Sequence, residues 1–172
     1  MKIPAKIGIG LMVPATAIVL AFLLVGPERF WRVFGEPDLG PVAFETLQRR
    51  ATPNDALACP QDVCRAPADI RPVLYPVDAG KLRFALAKVI AGEPRMTKVA
   101  SDDGTLSDRY IQRSERLGFP DTIVVQFLDR GASRSTLAIY SRSQLGRSDL
   151  GANKARIERW LSRLAEQMQP VE

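Results

Sequence analysis

Residues 121–141 read DTIVVQFLDRGASRSTLAIYS, and this stretch decides the fold. Asp121 to Asp129 is a dense run of β-branched and apolar residues, the strongest strand pattern in the chain. Gly131 falls in a turn, and Ser133 to Ser141 reads as a second strand with Leu137 and Ile139 on one side. Strands joined by so short a link pair antiparallel. Upstream, Leu106 to Ser114 is a third strand in which Leu106, Tyr110 and Gln112 share a face. Asp103-Gly104 is a hairpin signal leading back to a short strand over Arg95 to Ala100.

Helices flank this meander. Asp78 caps a predicted helix whose Leu82, Ala85, Leu86, Val89 and Ile90 form one apolar stripe, stopped by Gly92 and Pro94. Before it, Asp69 to Val77 reads as a strand whose prolines confine it to an edge, and Phe44 to Arg50 as a short helix. A last helix runs from about Asp149 to Gln167, with Ile157, Trp160, Leu161, Leu164 and Met168 on its core side. The expectation is an α+β fold: an N-terminal transmembrane helix, then strand, helix, four strands and helix. The result is an antiparallel meander sheet with two helices on one face.

The transmembrane expectation rests on Ile7 to Pro27, IGIGLMVPATAIVLAFLLVGP, which holds no charged residue. A helix of that length is about 31 Å long, enough for a hydrocarbon core of about 30 Å. A cleaved signal peptide is the alternative, but its apolar run is shorter and ends in a small-x-small site, whereas Ala15-Thr16-Ala17 lies inside this run. Residues 1–27 are therefore expected to be a membrane anchor, 28–42 a juxtamembrane linker and 43–172 a single domain. Lys2 and Lys6 precede the span and Arg29 and Arg32, offset by Glu28, follow it, which favours an inside amino terminus. Phe30, Trp31 and Phe34 fit either an interfacial aromatic belt or a cluster packed on the domain.

Composition excludes several chemistries. The 172 residues carry a net charge of +5 and contain two Cys and no His. Without His there is no Ser-His-Asp triad, no Cys-His pair and no imidazole metal ligand. Neither metal nor cofactor is expected, since two Cys alone make no closed zinc site and the aspartates Asp102, Asp103 and Asp108 lack EF-hand spacing. Cys59 and Cys64 share a turn-rich loop. A disulfide fits an exported domain, while free thiols or a redox pair are the alternatives. Arg49-Arg50 with Arg109, Arg113 and Arg116 reads as solvated charge, or else as a face for lipid headgroups. The basic residues are not interleaved with aromatics, so no nucleic-acid partner is expected.

Ser141 to Trp160, SRSQLGRSDLGANKARIERW, concentrates the polar residues of interest. Ser148 or Asp149 caps the following helix, and Asn153 lies on its core face one turn before Ile157. Arg142, Arg147 and Arg156 are expected to converge at this corner. Three readings stay open. One is a capped turn that ties a loop to the sheet. Another is a pocket in which Arg142 and Arg156 bind an anion oriented by Ser141, Ser143, Ser148, Asp149 and Asn153. The third is a His-independent hydrolase or transferase using Asp149 or Asp121 with Arg142.

Ser141-Arg142-Ser143, Gly146, Ser148-Asp149-Leu150-Gly151, Asn153 and Arg156 together resemble the signature of the domain of unknown function 1499 family. Gly118-Phe119-Pro120-Asp121 before the strongest strand agrees with it. So does a paired-Cys loop followed by Ile70-Arg71-Pro72-Val73-Leu74-Tyr75. The chain departs from the pattern at Thr122, where many members have a second Asp, and at Gln144, where Arg is common. The resemblance covers about Phe44 to Leu164 and implies a bacterial envelope or plastid domain, with no established activity. The expectation is a single-pass bacterial inner-membrane protein with a periplasmic C-terminal domain. It would be a binding or accessory module for an envelope lipid, an anionic ligand or an envelope protein. A structural subunit of a membrane complex is the remaining alternative.

Overall fold

The computed structural model describes residues 5–170, with side chains described from residue 15 onward. Helices α1 (Ala5–Val25), α2 (Pro27–Phe30), α3 (Ala79–Ala91) and α4 (Ala152–Gln167) accompany five strands: β1 (Asp55–Ala58), β2 (Met96–Asp102), β3 (Ser107–Arg113), β4 (Pro120–Asp129) and β5 (Ser135–Ser143). All strand pairs are antiparallel in the order β1-β5-β4-β3-β2, so β2 to β5 form the expected meander and β1 closes its free edge. The α+β architecture read from the sequence is the one observed.

The first strand is not where the proline-containing run placed it. Pro72 and Pro76 lack ladder N–H groups, and 69–77 makes isolated bridges, such as Ala58 with Ile70 and Tyr75 with Ser135, instead of a continuous strand. The edge position goes to Asp55–Ala58, whose Ala56, Leu57 and Ala58 are all buried. The short helix expected over Phe44 to Arg50 is a single 3₁₀ turn, Phe44–Thr46.

The expected membrane span is not shown. Among the described residues no helix is long and apolar enough to cross a membrane. The side chains of Ile7 to Pro14, the first part of that span, lie outside the described residues. Ala15 to Val25 supplies roughly 16 Å of helix, half of a hydrocarbon core.

Two apolar layers hold the sheet. On the inner face α3 and α4 bring Leu82, Leu86, Ile157, Trp160 and Leu164 against Ile123, Val125, Leu137 and Ile139. The N-cap of α3 is as expected, with the Lys81 N–H donating to Asp78 Oδ1 at 2.8 Å. The outer face is covered by chain rather than by a helix. Phe44 packs there with Leu57, Cys59, Val124, Ala138 and Tyr140, under the loop closed by the Cys59–Cys64 disulfide.

Part of the segment expected as a juxtamembrane linker, residues 36–40, is hydrogen-bonded to that outer face. Leu39 N–H donates to Thr122 Oγ1 at 3.0 Å, and that hydroxyl donates to Pro37 O at 3.0 Å. Gln144 Nε2 donates to Glu36 O at 2.6 Å, and Arg109 Nε to both Asp38 oxygens at 2.7 and 2.9 Å. Residues 36–44 thus form a strap across the sheet. Of the aromatic residues after α1, Trp31 packs on the domain: it lies 4.5 Å from Phe119, centroid to centroid, and its Nε1 donates to Leu117 O at 2.6 Å.

Candidate functional site

Side chains alternate along a strand, and this alternation divides the Ser141-Arg142-Ser143 tripeptide. Ser141 and Ser143 face α4; Arg142 faces the strap. The register pairs Asp121 with Ser143 and Thr122 with Arg142, so Asp121 joins the inner group and Thr122 the outer one.

The inner group is a closed hydrogen-bond network centred on Asn153, which is fully buried in the first turn of α4. Asn153 Nδ2 donates to Asp149 Oδ2 at 2.7 Å, Ser143 Oγ at 3.0 Å and Asn54 O at 3.2 Å. Its Oδ1 accepts from Ser141 Oγ at 2.5 Å and from Arg156 Nη1 at 2.6 Å. Arg156 spends the rest of its fork on Asp121 Oδ2 (Nη2, 2.6 Å), on Ser141 Oγ (Nη1, 2.6 Å) and, through Nε, on Gln112 Oε1. Gln112 passes the chain on to Pro94 O at 3.1 Å. Beyond it, the buried Glu93 carboxylate meets Arg159 and Arg163 at 2.7 and 2.8 Å. Burial pushes the Glu93 pKa up, but Arg159, with help from its other neighbours such as Gln112, more than reverses this and holds the carboxyl below its ordinary value.

The loop before α4 explains how Asn153 arrives there. Asp149 Oδ1 accepts from Gly151 N–H at 3.0 Å and its Oδ2 from Asn153 N–H at 2.8 Å, so Asp149 supplies the capping oxygen although Gly151 occupies the N-cap backbone position. Ser148 Oγ accepts from Leu150 N–H at 3.2 Å and only shapes the turn. Arg147 is exposed.

Arg142 stands apart. Its Nη2 donates to Leu39 O and Gly40 O at 2.7 and 2.9 Å, its Cζ lies 5.6 Å from the Tyr140 ring centroid, and among the described residues it has no carboxylate partner. Burial, with the Arg50 and Arg109 charges adding to it, pulls its pKa below the usual guanidinium value. Beside it Asp55 accepts from Arg49 at 2.8 Å and from the Tyr140 hydroxyl at 2.6 Å. Burial raises the Asp55 pKa, and these two donors more than reverse that.

The expected convergence of Arg142 with Arg156 does not occur, because consecutive residues of opposite parity lie on opposite faces of the sheet. The same division separates Arg142 from Asp121. The structure unites Ser141, Ser143, Asp149, Asn153, Arg156 and Asp121, and it adds two partners the sequence reading did not nominate, Gln112 and Asn54. Gln112 carried a signal, being polar on a face shared with Leu106 and Tyr110; Asn54 carried none. The inner network is lined up to fix α4 on the sheet, each donor meeting an oxygen of the same chain. Arg49, Arg109 and Arg113 are not solvated charge either. Each is mostly buried and paired, with Asp55, Asp38 and Glu28 respectively. Among the described residues no cluster of three or more Cys, Asp or Glu is placed to hold a metal ion.

Residues 41–164 match the model of one family, described as a protein of unknown function (DUF1499). No match to a curated protein was found.

Proposed function

The chain belongs to the DUF1499 family of proteins of unknown function, a membership that assigns no activity, and from its geometry we propose a membrane-held envelope domain that binds rather than transforms its ligand. The observation that carries this reading is the splice between α1 and the domain. The charge-free run Ile7 to Pro27 leads directly into Pro27, which lies against Gly118, and into Trp31, which lies against Phe119. An apolar helix joined this tightly to a polar domain suits a bilayer anchor better than a free tail. The Cys59–Cys64 disulfide supports an oxidising compartment, so the domain faces outward and the amino terminus inward. The buried signature residues bond to one another and hold α4, so a binding or accessory role, for an envelope lipid, anionic ligand or envelope protein, falls to the surface of the domain rather than to that network.

The test uses the full chain with a C-terminal reporter in a bacterial host. Retention in alkaline-carbonate-washed membranes, with activity of a reporter that works only outside the cytoplasm, is the expected result. Release into the wash, or activity only of a cytoplasmic reporter, overturns it.

A further inference from the structure

The exposed apolar residues of the domain are concentrated at one end of the sheet. Register places Arg113 opposite Pro120 and Asp121 opposite Ser143, so the β3–β4 loop (114–119) and the loop after β5 (144–150) leave the sheet at the same end. Gln144 N–H donates to Pro120 O at 3.0 Å and ties them together. The 3₁₀ turn Trp31–Phe34 joins the same end through Trp31 and Leu117. From these three segments Leu150 (96 % exposed), Val33 (76 %), Phe34 (60 %) and Leu117 (47 %) project. Elsewhere on the domain only Val73, Phe84 and Val99 are comparable among the described residues, and they are dispersed over other elements.

Leu150 is held out by construction. It adopts a left-handed backbone, φ 54°, fixed by the Ser148 and Asp149 side-chain bonds, a conformation that costs an ordinary residue free energy. Around these apolar tips stand Arg29, Arg32, Arg116 and Arg147, all exposed and without an ion pair among the described residues. The acids nearby are Glu28, which pairs with Arg113 at 3.4 Å, the exposed Glu36 and Glu115, and the half-buried Asp149, whose carboxylate is turned to the Gly151 and Asn153 N–H groups. Apolar tips, a tryptophan and surplus arginines are the composition of a bilayer interface. The apolar helix leaves the domain from this same end, and its Leu23, Leu24 and Val25 are exposed.

We propose that this end of the sheet is a seat on the membrane surface, with Leu117 and Leu150 inserted among lipid headgroups and Arg116 and Arg147 on anionic ones. The signature loop around Leu150 then touches lipid, while its inner residues hold α4. The proposal rests on the membrane-held reading and adds to it a fixed orientation of the domain.

The experiment places a single label on the full chain. Both native cysteines are tied in the disulfide, so a thiol-reactive fluorophore reaches only an introduced cysteine. Leu117→Cys, Leu150→Cys and, in the β2–β3 hairpin at the opposite end, Thr105→Cys are labelled and reconstituted in phosphatidylcholine vesicles with and without phosphatidylglycerol. Blue-shifted emission and quenching by lipids brominated near the headgroup are expected at 117 and 150, several-fold above 105. Arg116→Gln with Arg147→Gln should remove the enhancement by phosphatidylglycerol. If the protein floats with the vesicles but 117 and 150 behave like 105, the seat is wrong and the tether stands. If it does not float, the tether reading fails and the seat with it. Shielding of both labels in native membranes but not in lipid vesicles gives the surface to a protein partner and overturns the proposal.

Discussion

Asp149 grips Asn153 twice: one carboxylate oxygen accepts both the backbone N–H, at 2.8 Å, and the side-chain Nδ2, at 2.7 Å. The cap of α4 and the buried network are therefore one device. Asn153→Ala should cost about 3–5 kcal/mol, because it removes the acceptor of the Ser141 hydroxyl, the donor to Ser143 Oγ and one of the two acceptors of Arg156 Nη1 at a buried site. Chemical denaturation measures it. A loss below about 1 kcal/mol would show that water or a rearranged loop replaces the amide.

The Arg156–Asp121 pair should behave as a buried ion pair rather than a surface one, both side chains being mostly enclosed. Arg156→Met should destabilise by about 3–5 kcal/mol, and adding Asp121→Leu should recover part of that loss, since the second change removes the stranded carboxylate. Strictly additive losses in a double-mutant cycle would contradict the pairing.

Acid sensitivity should centre on Asp108. Its side chain is fully buried, with Arg83 and Lys98 both at 2.8 Å. Burial raises its pKa, but Arg83, Lys98 and Ser101 overcome this and bring it down to about 2 from 3.8. A carboxyl depressed on folding stabilises fully above its unfolded pKa and loses that contribution as pH falls through the folded one. The loss should therefore appear between about pH 4 and pH 2 and amount to roughly 2 kcal/mol. Arg83→Gln should flatten the stability–pH curve in that window, and an unchanged slope would remove Asp108 as its source.

The disulfide closes a short loop, five residues apart in sequence, over the outer apolar cluster. Reduction should lower stability by about 2–3 kcal/mol and Tm by roughly 5–10 °C without unfolding the domain. Calorimetry with and without reductant tests this, and complete unfolding at 25 °C would mean that the outer layer depends on the bridge.

Gly118 should resist substitution where Pro27, the first residue of α2, meets the domain. Its φ is +66°, and an added Cβ would lie 2.8 Å from Pro27 Cβ. Gly118→Ala should cost about 1–2 kcal/mol and push Trp31 away from Phe119. Because Trp160 is fully buried, red-shifted tryptophan emission would report Trp31. Unchanged emission would mean that the contact re-forms around the methyl group.

The meander was legible because Thr122 to Leu128 and Leu137 to Ile139 carry strand periodicity in their own side chains, and α3 because Asp78 and its apolar stripe agree. Asp55–Ala58 was not legible. Its Asp-Ala-Leu-Ala has no β-branched residue, and it becomes a strand only because β5 offers an open edge beside it. In the candidate site, Asn153 on a core face was a readable anomaly. What alternation did to Arg142 was readable in principle, since a residue between two inward serines must point outward. Its partners, the carbonyls of Leu39 and Gly40, belong to a segment whose glycines and prolines resemble a spacer, and no local pattern announces backbone oxygens as ligands.

The bond from Arg142 to Leu39 spans 103 residues of chain, and that from Thr122 to Leu39 spans 83. Contacts of such range form late, after the loops they close have been ordered. The strap has nowhere to dock until β4 and β5 stand side by side, and those strands are made last among the sheet. During synthesis residues 36–44 precede all five strands and wait while the hairpins assemble behind them. The strap is thus made before its docking site and locked only after that site has formed.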